Sequence, residues 1–276
     1  MKVILALCMR NIKAFVRNKA QLISSFLFPF FFIFVFSAIF KNEFIENPET
    51  YMLAGIVIST VFDFSLRISS STIDDMTSGF MKEVLVSPVS RFSIASGQFL
   101  SSAVIGTLQG IVIIAIGYFI GFRVSTPLTI VYAVFAMFFV GIVFSGFGLF
   151  LATSAKNIQT FQVISMVITM PMTFISGAYI PFNKLPDFLM YIGYINPMTY
   201  AVAFFRSVTL EKMNLSAEEL IKQELMFQIG GFQITPLVSM LILAAFGLLF
   251  LFLATSSFIR LDFSRINRNK NDAIEW

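Results

Sequence analysis

The chain has 276 residues, of which 57% are hydrophobic and 12% charged, and its net charge is +4. Soluble domains are about 45–50% apolar and about 25% charged, so this composition excludes an ordinary water-soluble domain. The sequence has no His and a single Cys, Cys8, which excludes an internal disulfide and removes the commonest metal ligand and general base. We therefore expect no metal site, no cofactor and no catalytic residue in this chain.

The apolar stretches predict an all-α integral membrane protein made of one transmembrane domain, residues 1–276. Residues 1–20 alternate basic and apolar clusters, which is typical of an amphipathic helix lying in the membrane interface. Six later stretches reach the roughly 20 apolar residues that a transmembrane helix needs. These six predicted transmembrane helices cover about residues 22–40, 51–70, 93–121, 128–152, 159–180 and 236–259.

Two charged residues interrupt the second span. Asp63 and Arg67 are four residues apart, so they lie on one face of a helix and can pair with each other. A charge at the bilayer centre costs roughly 2.5–3.5 kcal/mol on insertion scales, which makes such residues candidate ligands for a substrate. Arg67 is near one end of the span, where its side chain can reach the interface, so the pattern favours a structural ion pair.

The loop between the second and third spans, residues 72–92, is longer than a simple chain reversal requires. Its section Met81–Val86 combines charges with an apolar patch, and Pro88 must end any helix that runs through it. A short helix lying across the membrane face and docking a partner fits this pattern. An idle loop with an amphipathic turn fits it equally well.

Prolines shape the region around the fifth span. Pro171 lies inside that span and should kink it, either for packing or as a gate. Residues 181–206 are apolar but interrupted by Pro186 and Pro197, so they are too broken to cross a membrane. We predict a re-entrant pair of short helices, which is tolerated at membrane depth only where protein or a water-filled cavity covers the backbone. Arg206 ends this segment and can satisfy its carbonyls or pair with an acid.

The charges of the segments between the spans predict how the chain is oriented in the membrane. In the outer loop, residues 207–235, a capping-box pattern from Ser216 to Glu219 predicts a short helix that Gly230 and Gly231 close. If both termini lie inside, thirteen of the nineteen basic residues fall on the inner side, including those of the tail, residues 260–276. The positive-inside rule therefore predicts cytoplasmic termini, a cytoplasmic loop at residues 72–92 and an extracellular re-entrant region.

Two motifs resemble those of one transporter family. The run Ser78–Arg91, SGFMKEVLVSPVSR, is similar to the cytoplasmic coupling-helix motif of type-2 ABC exporter permeases. The runs Ser176–Pro181, SGAYIP, and Asn196–Ala201, NPMTYA, resemble that family's re-entrant region after the fifth span. Both motifs lie where the family's topology requires them, and the resemblance covers essentially the whole chain. It is closest to the drug- and antibiotic-export branch of bacterial permeases.

The resemblance implies a dimeric permease, homomeric or heteromeric, beneath which two copies of a separate ATPase subunit bind ATP and magnesium. This sequence has no Gly-x-x-x-x-Gly-Lys-Ser/Thr phosphate loop of its own. The residues implied to couple to the ATPase are Gly79, Phe80, Lys82, Glu83, Leu85, Pro88 and Arg91. Those implied for the re-entrant region are Gly177, Pro181, Pro186, Asn196, Pro197, Tyr200 and Arg206.

The function expected from the sequence is export by alternating access of an amphipathic or hydrophobic compound, such as a drug, antibiotic, lipid or glycan. The expected location is a bacterial plasma membrane, with membrane lipid as a partner and no nucleic acid. A channel or ion-coupled carrier would need more intramembrane ionisable residues, and a membrane enzyme would need clustered catalytic groups. A sensor or assembly subunit that moves nothing stays open, and the residues alone identify neither the cargo nor the direction of transport.

Overall fold

The computed structural model describes residues 2–19, 48–81, 89–120, 126–211, 217–222, 225–229 and 231–260, with isolated residues between 23 and 35. Most of these residues are helical. The first helices are α1 (Lys2–Arg17), α2 (Pro48–Arg67), α3 (Ser70–Thr77), α4 (Arg91–Ile120), α5 (Pro127–Ser154) and α6 (Ile158–Ile175). After them come a 3-10 turn (Phe182–Lys184), α7 (Asp187–Ile195), α8 (Pro197–Thr209), α9 (Ala217–Lys222), strands β1 (Phe227–Ile229) and β2 (Phe232–Ile234), and α10 (Pro236–Arg260).

Within the described residues, five helical stretches are long and apolar enough to cross a membrane. The chain is therefore a multi-pass helical membrane protein. The first predicted span, residues 22–40, lies mostly outside the described residues, and so does the tail from residue 261. The five stretches are Tyr51–Thr77, Arg91–Phe119, Pro127–Ser154, Ile158–Ile175 and Pro236–Ile259.

The helix α2 forms the centre of the bundle and packs against α4, α5 and α8. Val57, Ile58, Val61 and Phe62 on this helix are completely buried. Phe62 makes an edge-on contact with Phe144 of α5, with 4.4 Å between the ring centroids. The contacts of this helix join most of the apolar core into one cluster.

Glycines on α5 allow its neighbours to approach closely. Gly141, Gly146 and Gly148 face three different helices, α4, α10 and α2. A Cβ atom added at these positions would lie 2.9, 3.0 and 2.9 Å, respectively, from backbone atoms of those helices. Small residues let helix backbones come together where lipid supplies no hydrophobic driving force between helices. The position of α5 among its neighbours therefore depends on these three glycines.

Three boundaries differ from the sequence-based expectation. The loop expected to begin at residue 72 is still helical as far as Thr77, the end of α3. The fifth span ends at Ile175 rather than at residue 180, because the chain turns at Gly177, whose φ is +84°. In the outer loop, the helix expected after Ser216 spans only Ala217–Lys222 and ends well before Gly231. Gly231, with φ +86°, lies instead in the turn of an antiparallel β1–β2 hairpin. The hairpin has only three residues in each strand, and the mostly helical structure is consistent with the all-α expectation.

Candidate functional site

The Asp63–Arg67 pair forms on α2 as its spacing predicts. The Nε atom of Arg67 donates to Oδ2 of Asp63 at 2.6 Å, and the two side chains are 63% and 39% exposed, respectively. Both side chains are therefore only partly buried by the rest of the bundle. A partly exposed ion pair of this kind contributes little to stability and is accessible to a ligand.

The ion pair lines a cavity of about 450 Å³ between α2, α6 and Tyr179. Its wall mixes aromatic rings with hydroxyl groups, which suits a molecule that is partly apolar and partly polar. The α6 side of the cavity is provided by a helix that packs little against the rest of the chain. The lining residues are Pro29, Phe32, Ile56, Ser59, Thr60, Asp63, Phe64, Arg67, Met166, Thr169, Met170, Thr173, Phe174 and Tyr179.

A polar network joins α1, α3 and α4 at the end of the bundle where α4 begins. Arg10 of α1 forms an ion pair with Asp75 of α3, with 2.5 Å between Nη2 and Oδ2. The amide of the buried Asn11 donates to Gln98 Oε1 at 2.7 Å and to Ser101 Oγ at 2.9 Å. Gln98 in turn donates to Asp75 Oδ2 at 3.5 Å. We call these five residues the α1 network.

The α1 network is surrounded by one cation–π contact and by buried apolar side chains. The guanidinium carbon of Arg10 lies 4.5 Å from the centre of the Phe80 ring. Met81 is buried in a cluster that includes Leu7 of α1 and Phe258 of α10. Cys8, also on α1, is buried, and burial raises the pKa of its thiol. The N-terminal helix is therefore packed on the protein along one side.

Only part of the predicted coupling loop belongs to the described residues. Gly79 has a φ of +86° and turns the chain between α3 and Phe80. At the other end of the loop, Arg91 donates to the carbonyl of Ile259 at the end of α10. The remaining coupling candidates, Lys82, Glu83, Leu85 and Pro88, lie outside the described residues. The described ends of the loop thus contact α1, α4 and α10.

The predicted re-entrant segment consists of α7 and α8, which meet at an angle of 85°. Asn196 is the hinge between them, because its Oδ1 accepts from the backbone N–H of Met198 and caps α8. Its amide also donates to the carbonyl of Met172, at 2.7 Å, near the end of α6. Pro197 follows as the first residue of α8, where the missing N–H costs nothing.

Further bonds hold this segment in shape. Tyr200 donates through its hydroxyl to the carbonyl of Tyr194 at 2.5 Å, which ties α8 back to α7. Pro181 precedes the 3-10 turn, and Pro186 precedes α7 as its cap. Pro171 lies within α6, which remains helical from Ile158 to Ile175.

Arg206 is buried and satisfies a carbonyl, one of the two roles its position suggested. Its Nη2 donates to the Gly177 carbonyl at 3.1 Å, and its guanidinium carbon stacks 3.4 Å from the centre of the Tyr51 ring. The same turn touches α2 directly, since a Cβ added at Gly55 would lie only 2.0 Å from the carbonyl oxygen of Ala178. Both contacts hold the turn after α6 against the central helix.

The α1 network was not found by sequence reasoning. The sequence patterns single out none of its five residues. Buried polar residues within apolar helices, such as Asn11 and Gln98, are a sequence signal that could have pointed to it, because an unpaired amide in an apolar environment is costly. Which partners they find depends on how the helices pack. Among the described residues, no group of acids and cysteines could hold a metal ion.

Comparisons with known proteins give one consistent result. A protein-family model described as ABC-2 type transporter matches residues 2–210. A Cyanophora paradoxa protein named as the transport permease ycf38 is 29% identical over 239 residues, 84% of this chain and 80% of that protein. The Escherichia coli (strain K12) protein YbhR, named as a probable multidrug ABC transporter permease, is 23% identical over 58% of this chain and 43% of its own length. The inner membrane transport permease YadH of the same strain is 24% identical over 55% of this chain and 58% of its own length.

Proposed function

This chain belongs to the ABC-2 type transporter family, and we propose that it is the membrane-spanning permease subunit of an ATP-driven exporter. Members of this family are transport permeases of ABC transporters and are not themselves catalytic. In the proposed complex, two permease chains form a dimer and two separate ATPase subunits bind ATP and magnesium. The cargo is an amphipathic or hydrophobic compound, which moves outward by alternating access.

The observation that carries this proposal is the α1 network. Because Arg10 and Asn11 bond to α3 and α4, a force applied to residues 72–92 reaches three helices together. A loop that an ATPase moves needs such attachments, since a freely hinged loop would absorb the motion. A nucleotide-bound ATPase shifts the permease between two conformations only if it binds one of them with higher affinity than the other.

The cavity at Asp63 and Arg67 supports an amphipathic cargo. Rings such as Phe64 and Phe174 offer apolar contact, while the ion pair and nearby hydroxyls offer polar contact. A cargo entering from the membrane would meet both kinds of group. We place the second permease subunit against α6, whose Val163, Met166, Val167 and Met170 are each 54–66% exposed.

The proposed topology adds residues 22–40 to the five described spans as a first transmembrane helix. Both termini and residues 72–92 would then be cytoplasmic, and the α7–α8 pair would be a re-entrant hairpin on the outer side. The charge distribution supports this orientation, since the outer segments hold six of the nineteen basic residues. The organism in this proposal is a bacterium, and the membrane is its plasma membrane.

Charge reversal in the coupling loop tests the proposal. We expect Lys82→Glu or Glu83→Lys to abolish cargo-stimulated ATP hydrolysis and export in the reconstituted complex, because both residues would lie on the surface that docks the ATPase. Membrane insertion and yield should stay unchanged. Lys156→Glu, a reversal at an exposed residue between α5 and α6, is the matched control and should retain transport. Normal export by the Lys82 and Glu83 variants would remove the coupling role.

Nucleotide binding tests the division of labour between two proteins. The purified permease alone should show no affinity for a fluorescent ATP analogue in equilibrium binding. The complex with its ATPase should bind the analogue. Saturable binding to the permease alone would contradict the proposed arrangement.

A further inference from the structure

The surface of α1 is divided into three sectors along its length. Leu7, Cys8, Asn11 and Phe15 are buried against the protein. A second sector is apolar but exposed, and it holds Leu5, Met9 and Val16, whose side chains are 58%, 54% and 56% exposed, respectively. In a helix these three positions fall on one side, because they are spaced by four and seven residues. An apolar strip of this kind, on a helix already packed along another side, needs a second apolar environment.

The third sector of α1 is basic. Arg10, Lys13 and Arg17 are spaced by three and four residues, so they lie in one row beside the exposed apolar strip. Residues 1–19 contain no acid. Arg10 stands at the edge of this row and pairs with Asp75, whereas no ion pair joins Lys13 or Arg17 to an acid within the described residues. The row therefore presents positive charge that the described part of the chain does not neutralise.

We propose that α1 binds anionic phospholipid through Lys13 and Arg17. The strip of Leu5, Met9 and Val16 lies among the acyl chains, and the basic row lies one side-chain length away, at the depth of the phosphate groups. Amphipathic helices with basic and apolar sectors side by side bind membrane interfaces in this manner. The assignment of this site to the inner leaflet rests on the proposed function and its orientation.

Charge complementarity selects an anionic lipid over a zwitterionic one. A neutral headgroup satisfies an apolar strip as well as an anionic one does, so the apolar strip alone gives no preference. Two cationic groups that form no ion pair within the described residues do create a preference for anionic lipid. Each basic residue near an anionic surface adds about a fivefold factor in affinity. Lys13 and Arg17 together should therefore favour phosphatidylglycerol over phosphatidylcholine by about thirtyfold.

Arg10 connects the lipid site to the coupling region. It is the neighbour of Lys13 in the basic row, and its side chain is 34% exposed while it holds Asp75. Arg10 therefore belongs both to the basic row and to the α1 network.

Lipid selectivity is measured on the full-length permease alone, without any ATPase. The protein is placed in nanodiscs of phosphatidylcholine mixed with phosphatidylglycerol, and the lipids retained after mild detergent transfer are counted by native mass spectrometry. We expect the wild type to retain phosphatidylglycerol preferentially and the Lys13→Gln/Arg17→Gln variant to lose about thirtyfold in selectivity. Lys156→Gln, at an exposed basic residue between α5 and α6, should keep the wild-type selectivity.

Each outcome of the test is decisive. Equal retention of both lipids by the wild type would overturn the proposal, as would unchanged selectivity in the double variant or an equal loss in Lys156→Gln. If the double variant kept its lipid selectivity but no longer co-purified with the ATPase, the basic row would be a protein contact instead. Rising salt should weaken the preference, because the attraction is electrostatic. No step depends on transport, so failure here leaves the proposed exporter function standing.

Discussion

The stretch Tyr51–Thr77, which runs from α2 through α3, and the helix α6 are equally hydropathic, but their environments are opposite. In the most apolar part of Tyr51–Thr77, 89% of the residues are buried inside the chain, whereas in α6 only 6% are buried. Both carry polar groups that line the same cavity, from Ser59 on one helix to Thr173 on the other. Hydropathy therefore identifies a membrane helix without telling whether protein or lipid surrounds it, because hydrocarbon chains are as apolar as a protein interior.

Small residues distinguish the two helices. The sequence of α2 includes Ala54, Gly55 and Ser59, and Gly55 lets the turn at Ala178 reach its backbone. The sequence of α6 contains neither Gly nor Ala. Backbones can approach closely only where side chains are small, so α2 is suited to a central position and α6 to a peripheral one. The exposed face of α6 is also the one that we assign to a second subunit.

Enlarging Gly55 should have the largest effect on stability. Gly55→Leu would force side-chain atoms into the carbonyl of Ala178, where even a Cβ has no room. We expect a loss of about 3 kcal/mol or more, and little folded protein, in thermal unfolding of the detergent-solubilised chain. Val163→Leu on the exposed surface of α6 is the control and should change stability by less than about 0.5 kcal/mol. Equal tolerance of both changes would contradict the close contact.

A matched pair of truncations compares the two helices directly. Val57 of α2 is completely buried and Val167 of α6 is 66% exposed. Val57→Ala should cost about 2 kcal/mol in the isolated chain because it leaves a cavity, whereas Val167→Ala should cost less than about 0.5 kcal/mol. Thermal unfolding in detergent measures both. In the dimer, Val167→Ala should weaken subunit association if the second permease chain covers α6. Equal costs of Val57→Ala and Val167→Ala in the isolated chain would contradict a central α2 and a peripheral α6.

The next largest effect on stability is expected at α3, the helix that follows α2. Asp75→Asn removes the charge that holds Arg10 and should destabilise the docking of α1 by about 1 kcal/mol. The buried thiol of Cys8, with its raised pKa, should then react several times faster with a maleimide near neutral pH. The same change at the exposed Asp187 is the control and should leave the labelling rate of Cys8 unchanged. An unaltered rate in Asp75→Asn would show that the ion pair does not hold α1.

The smallest effect on stability is expected at the cavity. Asp63→Asn breaks a partly exposed ion pair and should change the free energy of unfolding by less than about 1 kcal/mol. Its effect should appear in function, as a changed concentration of cargo for half-maximal stimulation of ATP hydrolysis in the complex. Thr107→Val on α4, a buried polar residue away from the cavity lining, is a suitable comparison. A large loss of stability in Asp63→Asn, with unchanged cargo response, would make the pair purely structural.

Much of the fold could be predicted from the order of residues. The apolar runs indicated the five spans that the structure describes, and their spacing indicated the Asp63–Arg67 pair. The resemblance to ABC-2 permeases, based on the motifs at Ser78–Arg91 and Ser176–Pro181, is confirmed by the family match. The end of α6 and the β1–β2 hairpin were missed, because glycines that turn a chain are compatible with both a helix end and a hairpin.

By itself, the sequence determined that the chain is a membrane protein, which segments are apolar enough to cross the bilayer, and which family it belongs to. These properties follow from local composition and from short motifs, which need no knowledge of distant contacts. Only the tertiary structure decided that α2 is central, that α6 is exposed, and that Arg10 holds Asp75 across 65 positions of the chain. Such pairings depend on helix packing, and in a chain this uniformly apolar the order of residues does not show which faces meet.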